Sequence, residues 1–182
     1  MIRDWNKEIA AAWLVQSQNE KSDVRKLWDY HPPRSPATDS ELSEAEAVIG
    51  HPLDPRYREF LSFADGWACF YQDVTLFGTK ELIGGKMMDA AVEGIGETFP
   101  ESFKNGPLRE SDLLPIAASA TDKDLFVITR PCSPTGAGIV VWIAGYEIER
   151  YQTFDDFFLA MVEFNRRAYE RFRAEMGTPG GE

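Results

Sequence analysis

The segment LSEAEAVIGHPLDPRYREFLSFADGW, residues 42–67, carries the clearest local signals in the chain. Asp54 is a natural N-cap, and Pro55 sits at the first helical position, where its missing N–H removes no hydrogen bond. Tyr57, Phe60, Leu61 and Ala64 then recur at i, i+3, i+4 and i+7, so a helix is predicted from Pro55 until Asp65-Gly66 ends it. A preceding helix is predicted from near Thr38–Ser40 to about Ile49. Thr38 and Glu41 have capping-box spacing, Leu42, Ala45, Val48 and Ile49 form its apolar stripe, and Gly50 stops it.

Towards the N-terminus, residues 5–20 read as a helix whose stripe is Trp5, Ile9, Ala12, Trp13 and Gln16, with both tryptophans expected to anchor in the core. Pro32, Pro33 and Pro36 forbid a helix between them and mark a linker or wrapping loop. The expected organisation is an N-terminal helix and linker (1–37), a main domain (38–176) and a flexible tail (177–182). The main domain is expected to be α+β, with helices on a curved, mainly antiparallel sheet of about five or six strands.

Downstream of Trp67 the pattern turns to short strands. Residues 67–71 and 74–77 suggest a hairpin about Gln72-Asp73, and Lys80 to Ile83 a short turn of helix. Lys86 to Val92 has helical composition, after which Gly94, Gly96, Pro100, Gly106 and Pro107 predict an irregular excursion. Strands are expected at 113–118, 125–130 and 139–144, the last two joined by the turn-forming loop 131–138. In 146–151, alternation places Tyr146 and Ile148 on one side and Glu147 and Glu149 on the other. The closing helix runs from Phe154 to about Met176, with Thr153 as its cap and Asp155 and Asp156 opposing the helix dipole in its first turn.

Composition bounds what the chain can do. A hydrophobic share of 43% and an aromatic share of 13% over 182 residues suit one well-buried domain. The longest apolar run, Ile139 to Ala144, is strand length, and the N-terminal residues run straight into charge, so a cytoplasmic protein that leaves membranes alone is expected. The net charge of −11 is segregated: residues 41–160 hold twenty acidic and nine basic residues, whereas the flanking segments balance. So acidic a surface repels phosphate backbones, which argues against direct nucleic-acid binding, and it attracts a basic partner.

Catalytic chemistry finds little support. Glu93-Gly94-Ile95-Gly96-Glu97 lacks the third glycine and the preceding strand of a phosphate loop, and its glutamates would repel the anion. Gly136-Ala137-Gly138 is better read as hairpin loop. His31 and His51 lie beside prolines and read as loop residues, Cys69 as core, and neither Cys69 nor Cys132 sits in a metal-type pair. No cofactor or metal is therefore expected. Asp122 with Asp124, Glu147 with Glu149 and Asp155 with Asp156 remain as carboxylate pairs of the kind a small-molecule enzyme would use.

The 42–67 segment resembles the opening of the SMI1/KNR4 (SUKH) family, in which a helix ending near glycine precedes a leucine-proline entry, a tyrosine-x-x-phenylalanine-leucine helix and asparagine-glycine. Here Leu53-Asp54-Pro55 carries one inserted residue and Asp65-Gly66 replaces asparagine-glycine; Pro still enters the helix and Gly still leaves it. Leu76 to Leu82, Leu114 to Ala117 and Tyr151 to Phe158 resemble later elements of the family, so that the likeness spans about residues 41–164. The resemblance implies a non-enzymatic protein-binding domain. Many bacterial members are implicated as immunity proteins that neutralise a cognate toxin, often a nuclease, and fungal relatives as regulators working through protein contacts. The surface expected to meet a partner comprises Asp65, Trp67, Tyr71, Asp73, Asp122, Asp124, Glu147 and Glu149.

Overall fold

The computed structural model describes residues 2, 4–103, 108–131, 133 and 136–177. Three helices lead, α1 (Trp5–Ser22), α2 (Asp39–Ile49) and α3 (Pro55–Leu61), followed by the hairpin β1 (Trp67–Tyr71) and β2 (Val74–Leu76). Two helices follow, α4 (Thr79–Leu82) and α5 (Lys86–Phe103). A 3₁₀ turn (Glu110–Asp112) then opens the strands β3 (Leu113–Ser119), β4 (Leu125–Thr129), β5 (Val140–Ile143) and β6 (Glu147–Tyr151), and α6 (Phe154–Gly177) closes the fold. The six strands form one antiparallel sheet in sequence order, each paired with its chain neighbour. This is the expected α+β architecture.

Both faces of the sheet are covered, which is why β4 is buried at every residue. On one face Phe126 packs at 5.1 Å from Phe157 of α6, and Phe70 stacks at 5.2 Å on Phe158. Leu125, the next residue along β4, points to the opposite face, where it approaches Gly94 of α5. Beyond α6 the aromatic core continues into the N-terminal helices. Trp5 meets Phe60 at 5.4 Å and Phe158 at 5.2 Å, both edge-on, a geometry worth about 0.5–1.5 kcal/mol per pair beyond area burial.

The local signals in 38–66 form as their residues dictate. The Thr38–Glu41 capping box closes at both ends, Gly50 takes a left-handed φ of 77°, and Asp54 accepts from the N–H groups of Arg56 and Tyr57. Tyr57, Phe60, Leu61 and Ala64 are all fully buried. The proline-rich stretch wraps the domain through backbone bonds, with Arg34 N–H donating to the Gly66 carbonyl and Ala37 N–H to the Leu61 carbonyl.

Several expectations need correction. The excursion predicted after Val92 is helix as far as Phe103, running through Gly94, Gly96 and Pro100; Gly106 and Pro107 lie outside the described residues. Met88, Ala91 and Ile95 bury one face of α5 against the sheet, and that burial outweighs the roughly 1 kcal/mol each glycine costs a helix. Val48, placed in the buried stripe of α2, is 58% exposed, because the helix packs through Leu42 and Ala45 instead. Glu147 and Glu149 do not share a face: β6 shifts register, setting Glu147 opposite Ile143 and Glu149 opposite Trp142, and those two neighbours face opposite ways. Asp155 lies in the first turn of α6 as expected, and it is also buried, 2% exposed, where it accepts from Arg56 Nε at 3.0 Å and the Ile2 N–H at 2.7 Å.

Strand β1 carries the least regular backbone. Its pairing with β2 shifts between Trp67 and Tyr71, and Cys69 holds a φ of +51°. Helices supply the missing donors: Gln16 Nε2 of α1 donates to the Cys69 carbonyl at 3.1 Å and the Phe70 carbonyl at 2.6 Å, and Asn165 Nδ2 of α6 also reaches the Phe70 carbonyl at 2.9 Å. Gln16 is 2% exposed and Asn165 7%, so no solvent competes for these bonds. Gln16→Leu keeps the volume and removes the donor, stranding the Cys69 carbonyl at a cost of about 1–3 kcal/mol. Urea unfolding should show a lower midpoint at an unchanged slope.

Candidate functional site

The eight residues expected at a partner surface separate in space, and one of them is not at the surface. Trp67 is fully buried against Phe70 at 5.3 Å, and its indole N–H donates to the His31 carbonyl at 2.6 Å. It therefore offers nothing to a partner; its size and apolar ring were better filled by the core. Asp65 is committed to structure, its two oxygens accepting from the N–H and hydroxyl of Thr79 at 2.6 and 2.7 Å. Glu147 is neutralised by Arg150 at 2.7 Å.

The other five residues come together at one end of the sheet. The turn after β1 brings Asp73 to the end of β3, where the hydroxyls of Ser119 and Thr121 donate to its Oδ2. The same Ser119 oxygen accepts the Asp122 N–H at 2.7 Å, which holds the 119–124 turn beside Asp73. Asp124 accepts the indole N–H of Trp142 at 2.7 Å, Trp142 stacks on Phe126 at 5.1 Å, and Tyr71 meets Trp142 edge-on at 6.0 Å. Glu149 lies opposite Trp142 in β6 and accepts the Tyr151 hydroxyl at 3.0 Å. The result is an exposed acidic rim, Asp122 and Glu149, around half-buried Tyr71, Trp142, Asp73 and Asp124.

The acids feel one another. Burial first, and then the charges of Asp122 and Asp73, raise the Asp124 carboxyl above the usual carboxylate range against the bond from Trp142. Burial also acts on Asp73, but the Ser119 and Thr121 hydroxyls outweigh it and hold that carboxyl low. The Tyr71 phenol is pushed up by burial and then by Asp124, with Arg171 opposing. Burial is the largest influence on Asp124 and Tyr71, and like charge from Asp122 and Asp73 adds to it at Asp124.

Trp142 was not singled out in the sequence, because the apolar run around it reads as uniformly buried strand. Within β5 only Trp142 is partly exposed, which the uniformly apolar sequence Val140-Val141-Trp142-Ile143 does not signal. Two hollows on the other face were equally illegible. One, of ≈ 690 Å³, lies among α2, α4, α5 and β3 and displays Val48, Ile83 and Val92; the other, of ≈ 450 Å³, lies under α5 and is walled in part by Asp122, Asp124 and Leu125.

Metal chemistry gains nothing from this arrangement: among the described residues no three His, Cys, Asp or Glu side chains could hold an ion together. Cys69 is half-buried with its thiol pushed up by burial and then by Asp29 and Asp73, which makes it a poor nucleophile; Cys132 lies outside the described residues. No helix of the described residues is long and apolar enough to cross a membrane.

The Asp124 carboxyl generates a pH test. Its folded pKa is raised, so ionisation costs stability as pH climbs through the unfolded carboxylate value near ~4, and the full cost is present above the folded value. Asp124→Asn keeps an oxygen for the Trp142 indole and removes the charge. Its melting temperature should exceed that of the parent at pH 7, and the gain should vanish towards about pH 3.

Residues 36–160 match the family model described as SMI1 / KNR4 family (SUKH-1). A search of curated proteins returns no match.

Proposed function

The chain belongs to the SMI1/KNR4 family, whose domains typically bind protein partners and are generally non-catalytic, and from that premise we propose that it is an immunity protein that neutralises a basic toxin. The observation that carries the reading is the convergence of Tyr71, Asp73, Asp122, Asp124 and Glu149 around Trp142. Carboxylates at the rim steer a basic protein into contact and occupy the surface where its phosphates would otherwise bind. The aromatic pair at the centre supplies the rigid, half-buried area typical of binding hot spots. A cytoplasmic nuclease domain is the partner that this chemistry fits best.

A second reading is favoured by one observation. Asp122 and Asp124 border the ≈ 450 Å³ hollow under α5, and a carboxyl held above its usual range is what a small-molecule enzyme using paired carboxylates would need. Turnover of chromogenic glycosides or phosphate esters that disappears in Asp124→Asn would select it over toxin binding.

The test of the first reading is affinity purification from the native cell at low and high salt, with mass spectrometry of what is retained. A single basic, toxin-like protein that weakens with salt is expected; a partner with an acidic or neutral surface would remove the basis of the proposal. With that partner in hand, the Asp122→Asn/Glu149→Gln double variant should associate at least about tenfold more slowly at low salt, with a smaller change in dissociation.

A further inference from the structure

The acidic face has a basic neighbour on α6. Tyr71, Trp142 and Phe164 form a triangle of partly exposed rings, with centroids 6.0, 5.9 and 6.0 Å apart. On one flank Asp124 takes the Trp142 indole N–H, and Glu149 lies opposite Trp142 in β6. On the other flank Tyr71 and Phe164 share a hollow of ≈ 620 Å³ with Arg167 and Arg171, both exposed. The Arg167 guanidinium also lies over the Phe164 ring at 5.8 Å.

The two flanks do not neutralise each other within the chain. Arg171 makes no ion pair among the described residues, and Arg167 shares Glu163 with Arg166, each at 3.5 Å. Glu170 stands in the same hollow, so from Glu163 to Arg171 three arginines face two glutamates. Tyr71 lies between the flanks: Asp124 pushes its phenol up, and Arg171 opposes. No arginine is among the groups that shift Asp124 or Asp73.

A basic partner answers only the acidic flank. A surface with unlike charges on either side of an aromatic centre is complementary to itself, because a two-fold axis through the centre sets each flank against the opposite flank of a second copy. We propose that the aromatic triangle is the centre of an isologous contact between two copies of this chain, with Arg167 and Arg171 of each copy set against Asp122 and Glu149 of the other. The rings then cover one another, as exposed aromatic patches tend to do. The net charge of −11 on each chain opposes association at long range, so the contact is weak and gives way when a tighter partner takes the same face. The inference shares its face with the toxin reading but does not rest on a toxin.

The experiment is sedimentation equilibrium of the full chain over a range of concentrations, with two charge-reversed variants, Arg167→Glu/Arg171→Glu and Asp122→Lys/Glu149→Lys. The parent is expected to pass from one chain mass to two as its concentration rises. Each variant alone sets like charge against like and should self-associate at least about tenfold more weakly. An equimolar mixture of the two restores unlike charge at both halves of the contact and should recover the dimer. A parent that stays monomeric, variants that dimerise as the parent does, or a mixture that stays apart would each overturn the proposal. Should a reversal unfold the chain, dilution of the parent decides, followed at the Trp142 indole N–H and Arg171 Nε–H resonances. Both should shift with concentration; shifts confined to other surfaces, or none, would overturn it. No toxin enters these measurements, so their failure leaves the toxin-binding reading standing, and failure to find a basic partner leaves the dimer untouched.

Discussion

The fold depends on three side-chain amide bonds to an irregular edge strand. A strand at the edge of a sheet already has one unpaired flank, and the shift in β1 takes the carbonyls of Cys69 and Phe70 out of the regular ladder as well. Left alone, those carbonyls would have to reach water, and the aromatic core beneath them could not close. Gln16 and Asn165, from two helices at opposite ends of the element order, answer them, and Asn19 ties the same helices together through the Asn165 carbonyl. Packing of α1 on α6, burial of Trp5 among Phe60, Phe154 and Phe158, and the placement of Tyr71 at the surface all follow from where β1 is held.

The same strand delivers the candidate face. Tyr71 ends β1 and Asp73 follows directly, so the irregularity that demands buried amides on one side also sets the angle at which an aromatic ring and a carboxylate leave the sheet on the other. Burial first, and then the charges of Asp122 and Asp73, make the ionised Asp124 costly there. On the proposed reading, a cationic partner would lower that cost.

Much of the architecture was legible because its signals are local. The cap at Asp54, the proline at 55, the glycine at 50 and the period of Tyr57, Phe60 and Leu61 each act within one or two turns of chain, and the structure follows them closely. The SMI1/KNR4 likeness rests on those same residues. What was not legible depends on distant partners. Asp155 is the first-turn acid it reads as, but its partners Arg56 and Ile2 lie far away in the chain; Gly94 and Gly96 read as breakers until the sheet gives α5 a surface to cover. Of the candidate site, Tyr71, Asp73, Asp122, Asp124 and Glu149 were chosen for charge and aromaticity, and the structure brings them together. Trp67, chosen on the same grounds, sits in the core, because a tryptophan next to a helix-ending glycine looks the same from sequence whichever way its ring turns.

The pairing of each strand with its neighbour in sequence has a consequence for synthesis. As the chain leaves the ribosome, β1 to β6 can pair in order, since every ladder is between consecutive strands, with α4 and α5 made between β2 and β3. The helix made first cannot share in this. Trp5 and Gln16 of α1 meet partners on α3, β1 and α6, and α6 is translated after the whole sheet. A nascent chain therefore carries an exposed apolar helix through most of its elongation, and folding finishes by clasping the two ends over a sheet already built.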